Sequence, residues 1–246
     1  MKKIHIIGIL FFSFFIIFTA IIYLFEIFDI WSSTTFLILI LTIGIMFYQF
    51  ERGKINSKEI SLIAVLSAVS AISRLPFAAI PSVQPCTFII ICAGYVFGPI
   101  AGFMVGATTA LVSNIFLGQG PWTLFQMFAW GLAGITASTA SKLKIKITGL
   151  IILGAIWGFL FGWLMNLWFW IAYIYPHNIQ TFVFYMSTSL GFDTLHAIGN
   201  VIFIVILGEK TIKILKRYKE RFHIIYNSGN EDKISKANKP APEIVN

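Results

Sequence analysis

Three ionisable side chains stand within or at the end of long apolar runs of this sequence, and they are its first candidates for chemistry. Arg74 ends one run, while Asp193 and His196 lie three residues apart, about midway along the last one. Ionisable residues inside membrane-spanning segments are costly and mark functional sites by default. The spacing places Asp193 and His196 on one helical face, where they could bind a substrate, relay a proton or lock two helices together. Arg74 could bind a ligand or extend toward lipid headgroups.

Amide and aromatic side chains form a second group of candidates. Gln119, Trp122 and Gln126 lie in and just after the turn at 118–121, and Asn114 and Asn166 each end a stripe of small residues with a four-residue period. The asparagines could join helices or contact a ligand. Because an aromatic belt at the membrane interface needs no amides, we expect an aromatic binding cavity with a few polar anchors. The predicted substrate-binding residues are Arg74, Asn114, Gln119, Trp122, Gln126, Asn166, Asp193 and His196.

The composition decides which elements can position these residues. The 246 residues are 58% hydrophobic and only 11% charged, whereas soluble domains carry about 25% charged residues. A soluble enzyme, a disordered protein and a disulfide-stapled secreted domain are therefore excluded. Apolar stretches of about 20 residues are typical of membrane-spanning helices. The pattern predicts an all-α polytopic membrane protein with spans near 4–25, 33–50, 60–75, 87–97, 99–117, 122–140, 148–174 and 180–208.

The basic residues predict the orientation of these spans. When the loops are assigned to alternate sides, 17 of the 18 Lys and Arg residues fall on one side and only Arg74 falls on the other. Because cytoplasmic loops carry the basic excess, we expect a multi-pass protein of the plasma membrane with both termini in the cytoplasm. The net charge of +8 is then a sign of topology, and we expect no nucleic-acid partner. The span at 87–97 is short, so it is either tilted or interrupted near Gly98 within the membrane.

Motifs for catalysis or metal binding are absent from the sequence. It contains no G-x-x-x-x-G-K-[ST] phosphate loop, no G-x-S-x-G elbow and no H-E-x-x-H helix. Cys86 and Cys92 lack metal-binding spacing, and one Asp-x-x-His pair supplies too few ligands for a catalytic metal. We therefore expect no enzyme, no cofactor and no metal. A stand-alone transporter that relays protons through Asp193 and His196 remains an alternative, as does an intramembrane enzyme.

Several motifs in the later part of the chain are similar to those of one transporter family. The less specific ones are Ala64-x-x-x-Ala68, Ala93-Gly94-Tyr95, Gly98-Pro99-x-x-Gly102 and Ser113-Asn114. The more specific ones are Gly118-Gln119-Gly120-Pro121-Trp122-Thr123, with Gln126 and Trp130-Gly131 after it, and Phe192-Asp193-x-x-His196-Ala197-x-Gly199-Asn200. Residues 58–210 thus resemble the substrate-binding membrane subunit (S component) of energy-coupling factor (ECF) vitamin transporters. They look most like the S components for cobalamin-type compounds.

The resemblance implies a division of the chain and a set of partners. Two extra transmembrane helices and a basic loop (1–57) would precede a six-helix substrate-binding core (58–210), and a basic, disordered cytoplasmic tail (211–246) would follow. Such a subunit binds a vitamin from outside and docks on a transmembrane coupling subunit that carries two cytosolic ATPases. Ala64 and Ala68 match the docking motif of the family, and the loop 75–86 would be the lid. From the residues alone, the two alanines could instead pack inside the bundle.

Overall fold

Helices coincide with the apolar runs in the computed structural model, which describes residues 30–53 and 57–221. The described part contains helices and loops but no strand, which confirms the predicted all-α class. The helices are α1 (Ile30–Arg52), α2 (Ser57–Arg74), α3 (Cys86–Phe97), α4 (Pro99–Leu117), α5 (Trp122–Lys142), α6 (Ile147–Tyr173), α7 (Ile179–Thr188) and α8 (Leu190–Arg221). The predicted first span, 4–25, and the residues after 221 lie outside the described residues.

Four of the described segments are long and apolar enough to cross a membrane: Thr35–Arg52, Pro99–Leu117, Ile147–Tyr173 and Leu190–Arg221. The helix α3 is apolar but only 12 residues long. Gly98, with a φ of 100°, separates it from α4, and Pro99 occupies the first turn of α4. Glycine tolerates this positive φ, and proline is preorganised for a helix start. Gly98 and Pro99 therefore favour a tight turn that ends α3 and begins α4.

The loops gather at two ends of the bundle. We call the end that carries residues 142–146 and 209–221 the lysine end, and the end that carries residues 74–85, 118–121 and 174–178 the arginine end. At the lysine end, Lys219 Nζ donates a hydrogen bond to the carbonyl of Val96 (2.6 Å), and Tyr95 Oη donates to the carbonyl of Ile145 (2.9 Å). The helices α2 to α6 thus run alternately between the two ends.

The last predicted span, 180–208, is divided in the structure, which corrects its prediction as one helix. Helix α7 ends at Thr188, Ser189 forms a turn (φ −93°, ψ −1°), and α8 begins at Leu190. The Ser189 hydroxyl donates to Asp193 Oδ2 (2.7 Å) and accepts from Asn166 Nδ2 (2.6 Å). Such side-chain bonds compete with helix continuation. Asp193 therefore lies in the first turn of α8 rather than midway along a span.

Helix α8 also continues beyond the predicted end of the core. It passes through a π-helical turn at Ile204–Gly208 and extends to Arg221. Ile212 and Leu215 are buried at helical spacing on this extension, so it packs against the bundle. The predicted disordered tail consequently does not begin at residue 211, because residues 211–221 are helical.

Small residues bring the helix backbones into contact along the two stripes that end at Asn114 and Asn166. A Cβ atom at Gly102 of α4 would overlap the backbone of Gly134 in α5, and one at Gly158 of α6 would overlap the backbone of Ala197 in α8. Close approach of this kind holds membrane helices together through dense packing. The helix α1 joins the same core through its buried residues Leu37, Leu39 and Ile43, packing on α4, α5 and α6.

These contacts predict opposite effects for the same substitution at two glycines of the α6–α8 region. Gly158→Ala should lower the free energy of unfolding by about 1–3 kcal/mol, because overpacking displaces the backbone. Gly191→Ala, at an exposed position with no atom within 4 Å of the added Cβ, should raise it by up to about 1 kcal/mol through helix propensity. Denaturant titration in detergent measures both, and equal effects at the two sites would contradict the packing.

Candidate functional site

Arg74, the last residue of α2, is 5% exposed and lies at the centre of a polar group at the arginine end. Its Nε donates to Gln84 Oε1 (2.8 Å), and its Nη1 donates to Ser113 Oγ and to Asn114 Oδ1 (3.2 Å). The guanidinium lies over the ring of Trp130, 4.6 Å from the ring centroid. The side chain is therefore held in one orientation by neutral oxygen atoms and an aromatic face.

Asn114 extends this group toward the turn at 118–121. Its Nδ2 donates to Thr123 Oγ1 (2.9 Å) and to Gln126 Oε1 (2.7 Å). Thr123 Oγ1 in turn donates to Gln119 Oε1 (2.9 Å). Four of the eight predicted site residues, Arg74, Asn114, Gln119 and Gln126, thus belong to one connected set of hydrogen bonds. We call this set, together with Gln84, Ser113, Thr123 and Trp130, the arginine network.

His196 is connected to the arginine network through Trp130. The indole Nε1 donates to Thr87 Oγ1 (3.0 Å), and the same hydroxyl lies 2.9 Å from His196 Nε2. Phe161 lies against both rings, stacked on Trp130 at 4.7 Å and edge-to-face with His196 at 5.2 Å. Five helices, α2 to α6, and the first turns of α8 therefore supply side chains to one polar and aromatic region.

Asp193 and Asn166 form a separate cluster at the junction of α7 and α8, linked through Ser189. Asn166 Nδ2 also donates to the carbonyl of Tyr185 (3.2 Å), and Asp193 packs against Gly162, where any side chain would overlap it. Asp193 and His196 share a helical face, as predicted. Among the described residues, however, no hydrogen bond joins the two side chains. Asp193 accepts from Ser189 in the turn before α8, whereas His196 contacts Thr87 of α3.

Trp122 lies apart from these hydrogen bonds. Its ring covers Gly120, contacts Trp168 edge-to-face at 6.1 Å and remains 37% exposed. Trp168 also contacts Tyr173 edge-to-face, with their ring centroids 5.9 Å apart. Trp122, Trp168 and Tyr173 thus form a partly exposed aromatic surface beside the arginine network, and they do not line the network itself.

The loop 75–85 covers the arginine network from the side of α8. Gln84 contributes its hydrogen bond to Arg74, Phe77 packs edge-to-face on Phe203 (5.6 Å), and Val83 contacts Gly199. The predicted lid is therefore attached to the helices on either side of the network. Sequence reasoning did not select Gln84, Thr87, Ser113, Thr123 or Trp130 as site residues. Three of these residues did belong to motifs that the sequence analysis noted: Ser113 to Ser113-Asn114, Trp130 to Trp130-Gly131, and Thr123 to the Gly-Gln-Gly-Pro-Trp-Thr string.

Ala64 and Ala68 lie on the surface of α2. Both are exposed, whereas their neighbours Ile63, Ser67 and Ala71 are buried, so the two alanines lie along the edge of the buried face of α2. Ile60 and Ile72, also exposed, extend the row of alanines at four-residue spacing. The internal-packing alternative requires the two alanines to be buried, so the structure does not support it.

Metal ligands do not converge anywhere in residues 30–53 and 57–221, where no group of three or more His, Cys, Asp and Glu side chains could hold an ion. Cys86 and Cys92 are buried and unpaired. The polar region at the arginine end is therefore a hydrogen-bonding site built from neutral groups around one cation.

These features define a class of protein: a polytopic helical membrane protein with a buried polar site at one end of its core. Residues 58–208 match the family described as ECF transporter, substrate-specific component. Because the match spans more than half of the 246 residues, the chain belongs to this family. Its members are substrate-binding membrane subunits of transporters rather than enzymes, and they associate with a membrane-embedded ECF module. Comparison with curated proteins and with solved structures gave no match.

Proposed function

We propose that this chain captures a vitamin at the arginine end, which faces the outside of the cell, and delivers it inward as part of an ECF importer. The observation that carries this proposal is the arginine network, which joins the helices α2, α4 and α5 of the family region to a loop that covers them. A substrate-specific subunit must present fixed polar groups in an otherwise apolar core, and the arginine network provides them. Both termini then lie in the cytoplasm, in agreement with the positive-inside rule.

The proposed site differs in part from the eight residues selected from the sequence. We propose Arg74, Asn114, Gln119, Gln126 and His196 as substrate-binding residues, since they are connected to one another. The residues Asn166 and Asp193 instead hold α6 to the junction of α7 and α8, and Trp122 borders the entrance. The resemblance to cobalamin-type S components makes a corrinoid the first vitamin to test.

The exposed alanine row of α2 supports a docking role toward a second membrane subunit. We propose that Ala64 and Ala68 contact a transmembrane coupling subunit that carries two cytosolic ATPases. Small residues allow two membrane helices to approach closely, and α1 leaves this face of α2 uncovered. The extra helix packs instead on α4, α5 and α6, so we propose that it stabilises the core.

The test of this function is copurification combined with transport. A tagged full-length chain, extracted with mild detergent from its own cells, should bring down a membrane subunit and ATPase subunits. Uptake of labelled cobalamin, or of the vitamin that copurifies with the chain, should persist with an uncoupler at constant ATP and stop when ATP is depleted. Absence of ATPases together with uptake that collapses under the uncoupler would contradict the proposal and favour proton coupling.

A further inference from the structure

The guanidinium of Arg74 is a buried charge that the described residues do not neutralise. The side chain is 5% exposed, and no carboxylate oxygen lies within 4.0 Å of it in the part of the chain that the structure describes. The ion pair found there, Lys213 with Glu209, lies on the surface of α8. Burying a charge is costly unless it is paired. The position therefore requires a compensating group.

The contacts around Arg74 fix its orientation without supplying that group. Gln84, Ser113 and Asn114 each provide a neutral oxygen, and these oxygens engage Nε and Nη1. No hydrogen bond from Nη2 is formed within the described residues. The ring of Trp130 supports one face of the guanidinium and contributes a modest attraction. Two N–H groups of a rigid, oriented cation are thus left for a further acceptor.

We propose that the transported substrate carries one negatively charged group, a carboxylate or a phosphate, and that this group binds Arg74 through Nη2. This inference rests on the proposed function. Carboxylate and phosphate oxygens form the strongest hydrogen bonds to guanidinium and match its planar fork. Because Arg74 is the sole Lys or Arg residue predicted on the outer side, the substrate carries one such group and not several. Cobalamin, with its single phosphate diester, fits this class.

Asn114 offers a way to neutralise Arg74 without removing it. Its Oδ1 accepts from Nη1 at 3.2 Å, so an aspartate in its place would form an internal ion pair with the guanidinium. Gln126, which now accepts from the Asn114 amide, can turn its own amide and donate to the new carboxylate. Thr123 has a single O–H, so it can donate to the carboxylate only if it gives up its hydrogen bond to Gln119. The substitution Asn114→Asp therefore keeps the contacts of position 114 with Arg74 and Gln126 while it neutralises the guanidinium that the substrate anion would otherwise pair with.

The experiment measures binding of matched compounds to the purified full-length chain in detergent. The compounds are cyanocobalamin and four pairs that differ in one charged group: pantothenate and pantothenol, biotin and biotinamide, nicotinate and nicotinamide, and riboflavin phosphate and riboflavin. Calorimetry with the wild-type chain should show binding to cyanocobalamin or to a charged member of a pair. The neutral member of that pair should bind about 100-fold more weakly, the expected effect of removing one partner of a buried charge pair.

The variants separate charge recognition from stability. Arg74→Gln should weaken binding of the charged compound by about 100-fold, and Asn114→Asp should do the same while the melting temperature of the chain stays at or above that of the wild type. Equal binding of charged and neutral members, or undiminished binding by Asn114→Asp, would overturn the inference and leave the proposed function standing. Failure of all nine compounds to bind the wild-type chain would contradict both.

Discussion

Replacing Ala64 by leucine should reduce uptake by about tenfold or more and leave substrate binding to the isolated chain unchanged. The residue is exposed on α2, beside the buried residues Ile63 and Ser67. A leucine at this exposed position extends outward and holds a docking helix away from α2. Overpacking of such an interface costs about 1–3 kcal/mol, which corresponds to a loss of about 5- to 150-fold in affinity. Uptake into cells and calorimetric binding to the purified chain measure the two effects separately.

A control for this substitution is available on a different helix. Thr194 of α8 is also exposed, and the hydrogen bond of its side chain is to the carbonyl of Leu190 in the same helix. Thr194→Leu places the same leucine side chain on the exposed surface of another helix and should leave both uptake and binding within about twofold of the wild type, as substitutions away from special features usually do. Loss of substrate binding in Ala64→Leu would show instead that the alanine row stabilises the bundle.

Most of the helix boundaries could be predicted because the chain marks them chemically. The span predicted at 99–117 coincides with α4 (Pro99–Leu117), and the one at 122–140 ends two residues before α5 does. Pro99 begins the first of these helices and Gly118 follows it, while the second begins directly after Pro121 and ends at Lys142. Such residues act locally, through backbone conformation or the cost of burying a charge, so a sequence pattern reveals them.

The division of the last span could not be predicted by the same means. The turn at Ser189 is stabilised by Asn166, which lies 23 residues earlier on another helix. The one local partner of Ser189, Asp193, lies four residues further on, a spacing that a continuous helix allows equally well. Because the partner is brought to the turn by tertiary packing, the apolar run across 180–208 gave the appearance of one continuous helix.

The charged and amide residues of the candidate site could be predicted from the sequence, but the hydrogen bonds that connect them could not. Arg74, Asn114 and His196 stood out because such side chains are rare and costly within apolar runs. Thr87 and Ser113 did not, since a hydroxyl in a helix can bond to its own backbone and needs no other partner. Their role follows from the positions of α3 and α4 beside Trp130, which the sequence does not encode locally.

Trp130→Ala should lower the free energy of unfolding by about 3–5 kcal/mol, the usual cost of deleting a buried aromatic side chain, and should abolish substrate binding. The indole is 1% exposed and makes three different contacts: the face beneath Arg74, the stack on Phe161 and the hydrogen bond to Thr87. Its removal leaves a cavity, releases the guanidinium from its orientation and separates His196 from the arginine network. Denaturant titration and calorimetry in detergent measure the two losses.

Two further variants determine which of these contacts matters. Trp130→Phe keeps an aromatic face for Arg74 and Phe161 but loses the donor to Thr87, so it should cost only about 1 kcal/mol, the net value of one hydrogen bond, and retain binding. Trp163→Ala removes an indole of α6 that is 45% exposed and should cost less still. If Trp130→Ala were no more destabilising than Trp163→Ala, Trp130 could not be the packed centre of the site. If Trp130→Phe lost binding entirely, the indole N–H and its bond to Thr87, rather than the aromatic face, would be what orders His196 for the substrate.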